Sequence, residues 1–374
     1  MRALILTTHT GGGHDAAANA MSEALENQGV TCRVEDCVAF GGAWLSKVVS
    51  GSYVKMVQVN PDSFGRLYRL GEIISTPRFK SPVYLVNAAY AFRMERLLDE
   101  FQPDMIICTH MFGGQSVTHL RRREQYTGLL AMVMTDYTFS PFMEDIQPDV
   151  LCVSHRGILP ECRAKGLPEG ILKPFGIPVS PRCTPCLDRA AAKREAGLPE
   201  DRQEVLLVGG SMGAGNLPGT IDALLPGLGD AHLTVVCGSN VKAKECCEAR
   251  CAGMENVTVL GRVAPLYPRM AAADVVITKS GGLTTSEAMT IGVPMVIVHP
   301  IRGCETANAD FFERYGLARY VRELPELAEC VRGLLTDQAA ARAMVDAQRR
   351  EIDPRAAEHF ARALIEMVQA RQAS

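Results

Sequence analysis

Three loops in this chain gather residue types that can hold a phosphorylated ligand and move a proton. The fullest runs from Thr278 to Phe312. Its Gly281-Gly282 pair opens a helix, where backbone N–H groups suit a phosphate, and Ser280 adds a hydroxyl beside them. Glu287, in the second turn of that helix, supplies a carboxylate able to accept both hydroxyls of a ribose. After Gly292-Val293-Pro294 and the apolar run Met295–Val298, a polar loop carries Glu305 and Asn308. Amides, hydroxyl and carboxylates in that order point to a nucleoside-diphosphate ligand.

The second loop, Gly209-Gly210-Ser211-Met212-Gly213-Ala214-Gly215, follows another apolar run. Its glycine spacing departs from G-x-G-x-x-G, and no acidic residue closes a second strand about 20 residues on, so a dinucleotide site is disfavoured. A diphosphate held by backbone amides and the Ser211 hydroxyl is well served. The third loop, His9-Thr10-Gly11-Gly12-Gly13-His14, lacks the G-x-x-x-x-G-K-[ST] of a P-loop. His14 opens a helix, where the positive dipole end favours the neutral imidazole and so a general base. Each residue has a plainer counterpart: His14 as a helix cap, Glu287 on an exposed helix face, Glu305 and Asn308 in a solvated loop. What favours chemistry is that all three loops follow strands.

The elements that must position these loops alternate from end to end. Strand patterns fall at Ala3–Thr7, Thr31–Asp36, Met105–Thr109, Leu130–Met134, Val150–Val153 and Leu172–Pro174. They resume at Glu204–Val208, Leu233–Cys237, Val257–Leu260, Val275–Thr278 and Met295–Val298, with helical patterns between. Such β-α alternation predicts an α/β protein with parallel sheets, whose ligands sit at the carboxyl ends of the strands. The Pro/Gly-rich stretch Gly176–Pro181 predicts a boundary between two domains. The expected division is residues 1–177 for the first domain and residues 178–352 for the second. A last helix, 353–374, is expected to pack back on the first.

Composition bounds the function classes. At 374 residues, 47% hydrophobic and 22% charged, the chain reads as an ordinary globular protein of two domains. A formal net charge of −3 gives no support for nucleic-acid binding. No apolar run of about 18 residues predicts a membrane span, and Met1–Leu6 reads as a strand rather than a signal peptide. Thirteen cysteines are expected to be reduced thiols in a cytoplasmic protein. Neither Cys183-x-x-Cys186 nor Cys246, Cys247 and Cys251, read as lying on an exposed helix, has the four-ligand spacing of structural zinc.

Taken in order, these motifs resemble glycosyltransferase family 28. The resemblance rests on Gly11–His14, Gly176-Ile177-Pro178, Gly209–Gly213, Val259–Val263 and, most specifically, Lys279–Ala288. The branch most similar is monogalactosyldiacylglycerol synthase with the bacterial processive diacylglycerol glucosyltransferases. The resemblance implies a GT-B fold, two Rossmann-like parallel-sheet domains facing a central cleft. It implies an inverting transfer of a hexose from a UDP-sugar to a lipid, diacylglycerol first, making a glycolipid. By position, His14 becomes the general base, with Gly12, Gly13 and Asp136 on the acceptor side. Gly210, Ser211, Gly213, Ser280, Gly281, Gly282 and Thr284 become donor-binding residues around the diphosphate. Glu287 falls to the ribose, Arg262 and Val263 to the uracil, and Glu305 and Asn308 to the sugar. Two departures stand out: Cys304 replaces the usual glutamine before Glu305, and Thr135-Asp136 lacks the histidine that often follows. There is no Asp-x-Asp, so neither a metal nor another cofactor is expected.

Between the second and third strands, Ala43–Arg93 holds apolar pairs such as Trp44-Leu45 and Tyr53-Val54. These interleave with seven basic residues against two acidic ones. That pattern predicts contact with an anionic membrane surface, placing the protein peripherally on the inner face of the cell membrane. Other readings consistent with the motifs are transfer of N-acetylglucosamine to a polyprenyl-diphosphate lipid, a UDP-N-acetylglucosamine 2-epimerase, and a non-catalytic UDP-sugar sensor.

Overall fold

The structure is a computed structural model that describes residues 1–9, 12–42, 71, 80–186 and 188–373. They fall into two compact units. The first runs to Arg182 and takes in the segment from Arg355 onward; the second is Cys183–Pro354. Most of the expected membrane-facing segment, residues 43–70 and 72–79, lies outside the described residues, as do residues 10 and 11 of the first glycine loop.

The first unit is built on six parallel strands: β1 (Arg2–Thr7), β2 (Thr31–Asp36), β3 (Met105–Cys108), β4 (Leu129–Val133), β5 (Val150–Cys152) and β6 (Leu172–Lys173). Their order across the sheet is β2-β1-β3-β4-β5-β6. Around it stand α1 (Gly13–Glu26), α2 (Pro82–Ala91), α3 (Glu95–Phe101), α4 (Met111–Arg122) and α5 (Leu159–Ala164). Strands such as Ala3–Leu6 and Met105–Cys108 are apolar throughout because helices cover both faces and nothing in them meets water.

The second unit repeats the plan with α6 (Arg189–Ala196), β7 (Glu204–Val208), α7 (Leu217–Leu228), β8 (His232–Val236), α8 (Val241–Arg250) and β9 (Val257–Leu260). It continues through α9 (Tyr267–Ala272), β10 (Val275–Thr278), α10 (Gly282–Ile291), β11 (Met295–Ile297), α11 (Cys304–Arg314), β12 (Arg319–Tyr320), α12 (Leu327–Thr336) and α13 (Gln338–Glu351). Here the order is β12-β11-β10-β7-β8-β9, again all parallel. The strands read from apolar runs lie within one residue of their expected ends. β12 went unread because two half-exposed edge residues carry no apolar run.

The C-terminal helix α14 (Ala356–Ala373) belongs to the first unit. Phe360, Leu364 and Val368, four residues apart, enter the core formed by Ala18, Met21 and Leu25 of α1 and by β1, β3 and β4. Ion pairing of Arg371 with Asp149 and a hydrogen bond from Gln372 to Asp104 fix its far end. One sequence expectation is corrected. Helix α8 is largely exposed, but of its cysteines only Cys246 is; Cys247 and, just past the helix end, Cys251 are buried on the side turned toward its own unit.

Candidate functional site

In each sheet the strand order reverses at one point, and the loops singled out in the sequence lie there. In the first unit the reversal falls between β1 and β3, and in the second between β7 and β10. At such a point the loops leave in opposite directions and open a crevice at the carboxyl ends of the strands.

In the first unit, β1 leads through the glycine loop into α1, capped by Gly12 in the left-handed region at φ 80°. Gly13 and His14 are the first two helical residues. Asp15 ties the loop down, accepting from Thr7 Oγ1 at 2.8 Å and lying 2.8 Å from His9 Nδ1. His14 reaches across the reversal point: its Nδ1 lies 2.8 Å from the Thr109 carbonyl oxygen beyond β3 and 3.2 Å from Thr135 Oγ1 beyond β4. A carbonyl only accepts, so Nδ1 carries the proton and donates, leaving the lone pair on Nε2. Burial lowers the pKa of His14 below 6.5, while the nearby Asp136 charge opposes the shift. The product is a neutral imidazole in one tautomer with a basic nitrogen.

His110 meets His14 edge-on, ring centroids 4.6 Å apart. Its own Nδ1 accepts from the Phe112 N–H at the start of α4, and burial holds its pKa well below 6.5. His110 was not singled out from the sequence, and Thr135 only as the residue before Asp136, with no contact to His14 expected. The one available signal for His110 was its place two residues past a buried strand.

In the second unit, the loop after β7 lies against the loop after β8. Gly213 has φ 58°, and a Cβ there would sit 2.0 Å from the Cys237 carbonyl oxygen, so only glycine fits. Its amide donates to the Gly210 oxygen at 3.1 Å. Gly213 therefore shapes the turn, and its N–H is committed within it. Ser211 stands exposed on the same turn, its carbonyl accepting from the Ser239 amide at 2.9 Å.

Across the reversal point, Gly281 caps α10 with no side-chain hydrogen bond, so the amides of Gly282, Leu283 and Thr284 lack intrahelical partners. Glu287 is half-buried on α10, and burial pushes its carboxyl up to about 7. Arg262 is exposed and Val263 half-buried beyond β9, at the edge of the sheet, two strands from the reversal.

The polar loop expected at Glu305 and Asn308 is instead helix α11, and both side chains are buried, at 6% and 0% exposure. Their three-residue spacing puts them on one helix face, whereas a loop would leave them solvated. Asn308 donates from Nδ2 to the Ser280 oxygen at 2.9 Å. Glu305 accepts the Ile301 amide at 2.9 Å through Oε2, and its Oε1 lies 2.5 Å from the Lys279 ammonium. Lys279 is the main residue the sequence reading passed over; a lysine straight after a fully buried strand was the signal. His299 is another: it holds φ 48°, and its Nε2 lies 3.2 Å from Thr220 Oγ1.

Comparison with known proteins places this geometry. Residues 14–179 match the family model of monogalactosyldiacylglycerol (MGDG) synthase, and residues 204–360 that of the glycosyltransferase family 28 C-terminal domain. The processive diacylglycerol beta-glucosyltransferase of Bacillus subtilis (strain 168) is 29% identical over 342 residues, 90% of this chain and 87% of that one. The chloroplastic monogalactosyldiacylglycerol synthase of Spinacia oleracea is 28% identical over 350 residues, 88% of this chain and 65% of its own. Among solved structures, MurG of Acinetobacter baumannii superposes with a TM-score of 0.62 at 18% identity, covering 98% of this chain and 99% of its own. A putative UDP-N-acetylglucosamine 2-epimerase from Listeria monocytogenes reaches 0.64 at 12% identity, covering 99% and 97%. The structural likenesses establish the GT-B fold; the sequence matches carry the family. The chain is a glycosyltransferase and belongs to glycosyltransferase family 28, in the branch of the monogalactosyldiacylglycerol synthases and processive diacylglycerol glucosyltransferases.

Proposed function

We infer that the protein transfers a hexose from a UDP-sugar to diacylglycerol, with inversion at the anomeric carbon, to make a membrane glycolipid. The observation that carries the reading is the single tautomer of His14, whose Nε2 lone pair sits at the reversal point of the first sheet. That nitrogen removes the proton from the acceptor hydroxyl as its oxygen attacks the anomeric carbon. UDP leaves with the bonding electron pair from the opposite face, so one displacement inverts the centre and needs no covalent enzyme intermediate. The donor role of the second unit is supported by the amides at the start of α10, by the glycine turn after β7, and by Glu287. Acceptor class is supported by the relatives, which are named for diacylglycerol.

A fold shared with an epimerase does not separate transfer from isomerisation; the relatives named for diacylglycerol favour transfer. No helix among the described residues is long and apolar enough to cross a membrane. Peripheral contact with an anionic surface is supported by α2, where Leu85, Val86 and Phe92 just beyond it are 62%, 54% and 57% exposed. Arg93, Arg122 and Arg123 stand exposed close by. Exposed apolar side chains with guanidinium groups nearby, outnumbering the one carboxylate of the patch, Glu95, match a lipid surface with negative headgroups.

The test is incubation with labelled UDP-glucose, UDP-galactose and UDP-N-acetylglucosamine in the presence of vesicles holding both diacylglycerol and a polyprenyl diphosphate. Labelled glycolipid is the expected product. Isomerised UDP-sugar, label on a polyprenyl diphosphate alone, or binding without turnover would each replace this reading with a named alternative.

A further inference from the structure

The roles assigned to the donor residues leave one buried cation, Lys279, without a purpose. Lys279 follows β10 and lies over the turn after β7: a Cβ on Gly210 would be 2.7 Å from its Cε and 3.8 Å from its Nζ. Its ammonium pairs at 2.5 Å with Glu305, and the two side chains are only 15% and 9% exposed. The Glu305 carboxylate lies on the other side, 3.6 Å from where a Gly281 Cβ would stand. The pair therefore spans the space between the β7 turn and the start of α10. Those are the two elements that converge at the reversal point.

A buried ion pair contributes little to stability against its desolvation, so its persistence at this point calls for a use. We propose that Lys279 is the cation that receives the donor's diphosphate, and that it does so by exchanging its Glu305 partner for the diphosphate. The exchange frees Glu305 Oε1 to accept hydroxyls of the transferred sugar. In the empty protein the two charges neutralise each other. When UDP-sugar enters, the ammonium turns to the phosphate oxygens, and Glu305 stays anchored by the Ile301 amide on Oε2. As the anomeric bond breaks and charge gathers on the leaving oxygen, the same ammonium and the α10 amides take it up. The site then responds to the diphosphate before it presents the sugar contact. The proposal rests on the UDP-sugar reading above and adds to it Lys279 and the exchange of its partner.

Calorimetric titration with UDP and UMP tests it, using the wild type, Lys279→Met, Glu305→Gln and the double variant. In the wild type UDP binds more tightly than UMP. Lys279→Met is expected to lower UDP affinity about 10-fold or more, as for a lost charge-assisted hydrogen bond, with UMP far less affected. Glu305→Gln is expected to bind UDP several-fold more tightly than the wild type, because the competitor for Lys279 is gone, while turnover falls. The double variant leaves neither charge unpaired, so it keeps its melting temperature and loses the preference for UDP over UMP. Unchanged UDP affinity in Lys279→Met overturns the diphosphate contact. Glu305→Gln that weakens UDP overturns the exchange and leaves Glu305 a loop anchor. A wild type that binds neither nucleotide overturns the donor reading itself, and this proposal with it.

Discussion

At the scale of single residues, His14 and Glu287 titrate in ways that different kinetic constants report. His14 sits below 6.5 because burial disfavours its imidazolium. Protonation of Nε2 removes the base, so kcat is expected to fall only as pH drops through a value below 6.5. Replacing His14 with Ala should cut kcat about 10²-fold or more, and a rate near wild type would remove His14 from that role. Glu287 is shifted the other way, to about 7. Ribose hydroxyls donate to the ionised carboxylate, so binding favours loss of the proton. Donor affinity should be full above about 7 and weaken by about tenfold per pH unit below it. Glu287→Gln should bind donor more weakly and show a flat profile across that range; a retained slope would assign it to another group. Both side chains were legible as candidates from the sequence. The neutral form of His14 was legible too; its tautomer and the raised pKa of Glu287 were not, because these come from Thr109, Thr135 and burial, none of which is local in the chain.

At the scale of elements, the donor loops work because two turns interlock. The turn after β7 packs on the one after β8 so closely that Gly213 admits no side chain. Gly213→Ala forces a strained φ and a clash with the Cys237 carbonyl, and should destabilise the protein by about 1–3 kcal/mol. Thermal unfolding and UDP titration together check it: a lower melting temperature with weaker binding is expected, and no change in either would mean the turn has slack. The glycines of this turn were legible because no other residue serves such a turn. Helix α11 was not. Cys304–Asn308 reads as polar and solvated, and only packing against Ser280 and Lys279 makes a helix with two buried polar side chains there.

At the scale of the whole molecule, α14 shows how the end of the chain completes the core at its beginning. Phe360 is fully buried among residues of α1 and the first sheet. Phe360→Ala should cost about 3–5 kcal/mol, read as a large fall in the melting temperature of the first unit. A loss under about 1 kcal/mol would mean the helix is dispensable, against the few kcal/mol typical of such a cavity. The apolar face at α2 concerns association with a surface instead. Changing Leu85 and Phe92 to Ser removes side chains worth about 1.5–3 kcal/mol each on full burial. Flotation on anionic vesicles should then fall at least several-fold with the melting temperature unchanged. Equal recovery of wild type and variant with the vesicles would move the contact elsewhere.

The sequence by itself determined the α/β architecture, every described strand but β12 to within a residue at each end, and the segments that carry chemistry. Those follow from local causes: apolar runs form strands that helices cover, and clustered glycines serve where backbone must approach a ligand or another turn. Only the tertiary structure decided which groups face each other. The Nδ1–H of His14 is set by a carbonyl 95 residues away, and the charge of Lys279 is matched by a glutamate 26 residues on. Strand order brings such groups together, and it is fixed by how the sheets pack rather than by any neighbouring residue.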